Sequence, residues 1–205
     1  MQHAETLMGI AFLIRHAERN QITNPKEHST VLLNEKGRTE AIKFGIELSK
    51  IFSTIILYSS PIYRCIQTGE CIAQAFGDNI NIHTSNILGE PGPFVFGDAM
   101  NSFESLTTKG VVDSMIKGKQ LPFIRSIYEG SKTLLDFIQK ETHKYKSNVP
   151  VIFVSHDAIV APFINFLTNE EFNQSHWIEF LGGIKILFNS NDRSFQFQRV
   201  YGVER

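Results

Sequence analysis

Three stretches of the chain end an apolar run in residues that packing alone does not explain. Ile10 to Ile14 is a run of strand length that stops at Arg15-His16, with Arg19 close behind. Thr54 to Tyr58 leads into Ser59-Ser60-Pro61, and Arg64 follows on the first turn of a predicted helix. Val149 to Val154 runs into Ser155-His156-Asp157. Two imidazoles, three guanidiniums and a carboxylate suit a small, doubly charged anion, because arginine offers rigid, bidentate donors matched to phosphate oxygens. In open α/β sheets the carboxyl ends of the strands border the ligand crevice. Parallel strands therefore bring the three endings to one edge.

The elements that must position these groups follow from the hydrophobic pattern. Each of the three apolar runs is expected to be a buried strand. Asn20 to Thr30 is polar, contains Pro25 and reads as a loop. Asn34 is placed to cap a helix, with Glu35 at its positive end and Ala41, Phe44, Gly45, Leu48 and Phe52 on its inner face. Ser59-Ser60-Pro61 should start a second helix that runs towards Phe76 and ends at Gly77-Asp78. Ile80 to Thr84 is a short candidate strand. Tyr128 to Tyr145 is an amphipathic helix with Leu134, Leu135 and Ile138 inside, and Ala158 to Leu167 is another helical run. Trp177 to Asn189 and Phe195 to Tyr201 read as two last strands joined by a turn at residues 189–192; they form a hairpin or extend the sheet. Glycines and prolines break any pattern between Ile87 and Lys119, which suits a loop or small helical cap near the site.

Alternating strands and helices predict a three-layer α/β/α sandwich with a mostly parallel central sheet. At 205 residues the chain is expected to form a single domain. A net charge of −1, with no basic block, argues against nucleic acid or an anionic membrane as the main partner. No stretch approaches the roughly 20 apolar residues of a membrane span. Met8 to Ile14 meets the Arg-His pair rather than a small-residue cleavage site, so no signal peptide and a cytoplasmic location are expected. Nothing in the sequence bears on oligomeric state. Cys65 and Cys71, if on one helix, lie about 9 Å apart along its axis, too far for a disulfide. They read as buried thiols.

Leu13-Ile-Arg-His-Ala-Glu-Arg19 resembles the Arg-His-Gly signature of the histidine phosphatase superfamily, which includes phosphoglycerate mutases and acid phosphatases. The resemblance continues through Leu33-Asn-Glu-Lys-Gly-Arg-Thr-Glu-Ala41, Tyr58-Ser-Ser-Pro-Ile-Tyr-Arg-Cys-Ile-Gln-Thr68 and Phe153-Val-Ser-His-Asp157, in the expected order. It implies a phosphoglycerate mutase-like fold. It also implies that His16 is a nucleophile forming a phosphohistidine and that Arg15, Arg64 and His156 hold the phosphoryl oxygens. Physical chemistry is compatible with those roles. A neutral imidazole is nucleophilic near pH 7, and fixed cations stabilise a transferring phosphoryl group without a metal ion or other cofactor.

The leaving alkoxide also needs a proton, which general acid catalysis supplies at a gain of about 10²–10⁴. His156-Asp157 is similar to the His-Asp pair of the acid phosphatase and phytase branch, whose extended signature Arg19 also matches. Glu90, in Leu88-Gly-Glu-Pro-Gly92, instead resembles the glutamate of the mutase-like branch. Asp157 is preferred because the motif fixes its place beside His156. The chain departs from the family at Ala17, where glycine is expected, and at Gln21, where the acid phosphatase signature has proline. It is also much shorter than typical phytases.

Simpler readings stand beside these. Arg64 alone would pass for a surface cation, and Asp157 for a helix cap. His3, His28, His83, His143 and His176 read as surface or structural histidines, and Glu18 as a solvent-facing or supporting group. Phe94 and Phe96 are core or a substrate-facing wall. The expected activity is that of a metal-independent phosphatase acting on a small phosphorylated substrate. A phosphomutase and a catalytically silent phospho-ligand-binding module are the rivals.

Overall fold

The structure is a computed structural model that describes residues 8–22, 28–77, 80–189 and 194–202. Its strands are β1 (Met8–Arg15), β2 (Ile56–Ser59), β3 (Ile82–Thr84), β4 (Val151–Ser155), β5 (Gly183–Asn189) and β6 (Phe195–Val200). Its helices are α1 (Glu35–Ser49), α2 (Tyr63–Ala73), α3 (Met100–Ile116), α4 (Ile127–Thr142) and α5 (Asp157–Thr168). The strands form one sheet in the order β3-β2-β4-β1-β5-β6. β3, β2, β4 and β1 are parallel; β5 pairs antiparallel with β1 and β6 antiparallel with β5, so the two extend the sheet as a hairpin. Loop residue Pro25, the helix stop at Asp78, the turn at residues 190–192 and His3 lie outside the described residues.

Alternation along the central strands builds both layers of the core. Ala11, Leu13, Val151 and Phe153 meet Val111 of α3, Leu134 of α4 and Phe163 of α5 on one face. Phe12, Ile14, Ile152 and Val154 meet Ala41 and Leu48 of α1 and Cys65 and Ile72 of α2 on the other. Strands covered on both faces have no polar side to show, which is why they read as unbroken apolar runs. Both cysteines lie buried and unbonded on α2. Among the described residues no helix is long and apolar enough to cross a membrane.

The α1 cap has the expected form. Asn34 Oδ1 accepts from the Gly37 amide at 2.7 Å, and the Asn34 amide donates to the Glu18 carbonyl at 3.2 Å. These bonds draw the helix start against the loop that follows His16. A Cβ at Gly37 would stand 1.9 Å from the Glu18 carbonyl oxygen, so glycine is required there. Helix α4 begins with a reciprocal capping box between Ser126 and Glu129.

Several expectations need correcting. α2 starts at Tyr63 with Ile62 at its cap, and Ser60 Oγ accepts from the Ile62 amide at 3.2 Å rather than from an N–H of the helix. It ends at Ala73, and Gln74–Phe76 continues as a 3-10 turn. The segment from Trp177 to Gly182 is no strand. Leu181 sits at φ 59°, and the regular ladder with β1 begins only at Gly183, where a Cβ would meet the Leu13 carbonyl at 2.0 Å. Residues 87–119 hold a loop after the 3-10 turn Asn86–Leu88 and then α3, whose helical path is interrupted at Thr107. Phe94 is buried in the core, whereas Phe96 is exposed.

Replacing Gly37 with alanine forces a backbone shift at the α1 cap. The Gly37→Ala variant should lose about 1–3 kcal/mol of stability, read as a lower midpoint in urea unfolding.

Candidate active site

Strands β2, β4 and β1 are neighbours, so their carboxyl ends meet. The ladder continues one step beyond them: His16 N–H donates to the Ser155 carbonyl at 2.9 Å and Ser60 N–H to the Val154 carbonyl at 3.0 Å. His16, Ser60 and His156 thereby come to one buried spot, with the two imidazole rings 5.6 Å apart and steeply inclined.

Arg64, from the first turn of α2, bonds to both rings. Its Nε lies 3.1 Å from His16 Nε2, its Nη2 lies 3.0 Å from His156 Nδ1, and its Nη1 donates to the His28 carbonyl at 2.6 Å. A guanidinium has donors and no acceptor, so both ring nitrogens facing it carry lone pairs. The opposite nitrogens carry the protons. His16 Nδ1 donates to the Ala17 carbonyl at 2.8 Å, and His156 Nε2 donates to Ser60 Oγ at 2.8 Å. His16 Nε2 is therefore an unprotonated nitrogen directed at the cations.

Burial makes both imidazoles hard to charge. It pushes His16 well below the usual histidine range, with His156, Arg15 and Arg64 adding to the effect and the Ala17 hydrogen bond opposing it. Burial, aided by Arg64 and Arg15 against Asp157, lowers His156 to about 3. The Cys65 thiol, 3.5 Å from His156 Nε2, is pushed up to about 12 by burial and stays an inert thiol.

Arg15 is clamped on several sides. Nη1 donates to the Ile178 carbonyl at 2.6 Å, Nη2 pairs with Asp157 Oδ2 at 3.0 Å, and the Phe180 ring lies 4.0 Å from the guanidinium carbon. Its Nε is buried without a hydrogen-bond partner. A buried cationic donor left open costs stability unless an anion meets it. Asp157 Oδ2 also accepts from Trp177 Nε1 at 3.2 Å. Burial alone would raise the Asp157 carboxyl. Arg15, His16 and the Trp177 hydrogen bond outweigh burial and hold it well below the usual carboxylate range.

Glu90 and Arg19 occupy the margin. Ser155 Oγ donates to the Leu88 carbonyl at 2.8 Å, and Gly89 packs so closely that a Cβ would meet Ser60 Oγ at 2.4 Å. Glu90 emerges from this anchorage largely exposed, its Oε1 3.0 Å from His28 Nε2. Its charge is felt by Arg64. Arg19 is half-buried and donates to the Asn20 carbonyl at 2.9 Å. Its charge acts on both Arg15 and Arg64, and no hydrogen bond links it to His16.

Sequence reasoning missed some of the support. Thr68 accepts from the Ala17 amide at 3.0 Å and donates to the Arg64 carbonyl at 2.7 Å, tying the end of β1 to α2. Its place in the Tyr58-to-Thr68 motif was the available signal. Trp177, the single tryptophan, and Phe180 were hidden in a predicted strand. His28 looked like any surface histidine. Glu18 is a supporting group, taking Asn34 Nδ2 at 2.9 Å and Lys36 Nζ at 2.7 Å.

The family model described as the histidine phosphatase superfamily (branch 1) matches residues 11–193. The chain belongs to that superfamily. Its fold is shared with solved structures at low identity. A mycobacterial glucosyl-3-phosphoglycerate phosphatase aligns with TM-score 0.64 at 13% identity, covering 96% of this chain and 100% of that one. A phosphoglycerate mutase from Bacillus anthracis aligns with TM-score 0.64 at 17% identity over 96% and 95% of the two chains. YhfR from Bacillus stearothermophilus aligns with TM-score 0.65 at 16% identity over 95% and 98%. No curated protein matches the sequence. The mixed sheet, parallel through β1 and antiparallel beyond it, is thus the architecture this histidine phosphatase superfamily member has in common with phosphatase and mutase structures.

The depressed His16 and His156 values have a measurable consequence. Neither ring should titrate between pH 8 and pH 5 in nitrogen–proton correlation spectra of the folded protein. An unfolded histidine takes up its proton near about pH 6.5, so the unfolded chain binds more protons from there down to about pH 3. Stability should therefore fall as the pH drops through that window, and a His156→Asn variant should show a shallower fall in urea titrations.

Proposed function

We propose that the protein hydrolyses a small phosphomonoester without a metal ion, through a phosphohistidine on His16. The observation that carries this reading is the lone pair of His16 Nε2, held towards Arg64 by a donor-only contact and by the Nδ1 bond to Ala17. A phosphoryl group displacing the Arg64–His16 contact would meet Arg64, the open Nε of Arg15 and His156. Such preorganised donors stabilise charge developing on the transferring group.

The reaction balances in two steps. His16 Nε2 bonds to phosphorus as the bond to the ester oxygen breaks, and the leaving alkoxide takes a proton from a general acid. Water then attacks the phosphohistidine, gives a proton to the same carboxylate, and phosphate leaves with Nε2 restored. Glu90, rather than the sequence-preferred Asp157, is the acid in this proposal. Asp157 is committed to Arg15 and Trp177 and is held ionised, whereas Glu90 stands at the margin with a solvent-accessible carboxyl. Asp157 then serves by fixing Arg15.

The test is a phosphatase screen over sugar phosphates, nucleotides and phosphopeptides with EDTA present. Turnover should persist in EDTA and vanish in His16→Ala; loss with EDTA, or activity in the variant, overturns the reading. Consumption of the phosphate ester only when an acceptor alcohol becomes phosphorylated, with no inorganic phosphate released, would make the protein a mutase. Glu90→Gln should lower kcat/KM by about 10²-fold or more on alkyl phosphates and much less on nitrophenyl phosphate. Asp157→Asn should instead raise KM on both substrates, because it loosens Arg15.

A further inference from the structure

The reading of Glu90 as the acid leaves a mechanical problem, and this inference rests on that reading. An exposed carboxylate on a flexible side chain spends little time in one place, yet a general acid must sit within hydrogen-bond reach of the leaving oxygen. The described structure provides one side-chain contact that restrains it. His28 Nε2 lies 3.0 Å from Glu90 Oε1, and both side chains keep substantial solvent access, at 41% and 64%.

His28 is tied to the site a second time, through its main chain. Its carbonyl oxygen accepts from Arg64 Nη1 at 2.6 Å, and Arg64 in turn reaches His16 and His156. One residue thus spans the two halves of the proposed chemistry: its backbone holds the phosphate-binding guanidinium and its ring holds the carboxyl.

We propose that His28 is a positioning residue for the general acid: its Nε2–H fixes Glu90 Oε1, leaving Oε2 to carry the transferable proton. The neutral Nε2–H tautomer suffices, and the ring itself exchanges no proton with substrate. The loop before α1 therefore selects the acid's geometry, while the strand ends select that of the nucleophile.

The two attachments can be separated experimentally, because side-chain substitution removes the ring and leaves the carbonyl. His28→Ala should lower kcat/KM on an alkyl phosphate by about tenfold to a hundredfold. On nitrophenyl phosphate, whose leaving group needs little protonation, the change should stay below about twofold. Competitive inhibition by inorganic phosphate should be unchanged, since Arg64 keeps its carbonyl partner. His28→Gln, which retains a donor near the Nε2 position, should recover most of the alkyl phosphate activity. Adding His28→Ala to Glu90→Gln should produce no further loss.

Equal losses on both substrates, or weakened phosphate inhibition, would overturn the proposal and reduce His28 to a fastening of its loop. If Glu90→Gln depends on the leaving group and His28→Ala does not, the positioning role alone fails. If Glu90→Gln itself shows no such dependence, the acid assignment fails and this inference falls with it.

Discussion

A guanidinium can only donate. That constraint, applied at Arg64, determines the protonation pattern of the whole centre. Each imidazole nitrogen facing Arg64 has to be a lone pair, so His16 and His156 must hold their protons on the opposite side, where the Ala17 carbonyl and Ser60 Oγ receive them. Strand, helix and loop all contribute to satisfying one planar cation. Buried donors without acceptors are expensive, and the His28 carbonyl completes the set.

The second cation is managed differently. Arg15 is neutralised by Asp157, supported on the Phe180 ring and bonded to the Ile178 carbonyl, yet it retains an unsatisfied Nε. Full satisfaction would have produced a stable ion pair with nothing left for a ligand. In the proposed reaction that Nε is the donor left for an incoming phosphoryl oxygen. Asp157 also offsets like-charge repulsion among Arg15, Arg19 and Arg64.

Much of this architecture was legible in the sequence because burial on two faces leaves a plain signature. The runs at Ile10, Thr54 and Val149 became adjacent strands, and Asn34 capped its helix as its type suggested. The Arg15-His16 region was readable for the same reason: an Arg-His pair has no packing role at the end of an apolar run. What stayed hidden depends on tertiary direction. Ser60 looked like a helix cap and proved to be a partner of His156. Trp177 to Gly182 had strand-like composition, but these residues are apolar because they wrap Arg15 and Asp157, which pairwise patterning cannot distinguish from a strand. His28 carried no local signal at all, since its relevance arises from contacts with Arg64 and Glu90, which are distant in sequence.

The position of β1 in the sheet has a consequence for biosynthesis. Strand β1 lies in the interior of the sheet, flanked by β4 and β5, so Ala11 pairs with Val151 and with Ile186. Both partners lie far downstream of β1 in the sequence, so neither exists until long after β1 has been translated. An apolar strand waiting that long exposes both of its edges and both of its faces, the condition under which nascent chains aggregate or engage chaperones. His16 at its end inherits that timetable, since its buried setting is complete only when β4 and β5 flank β1.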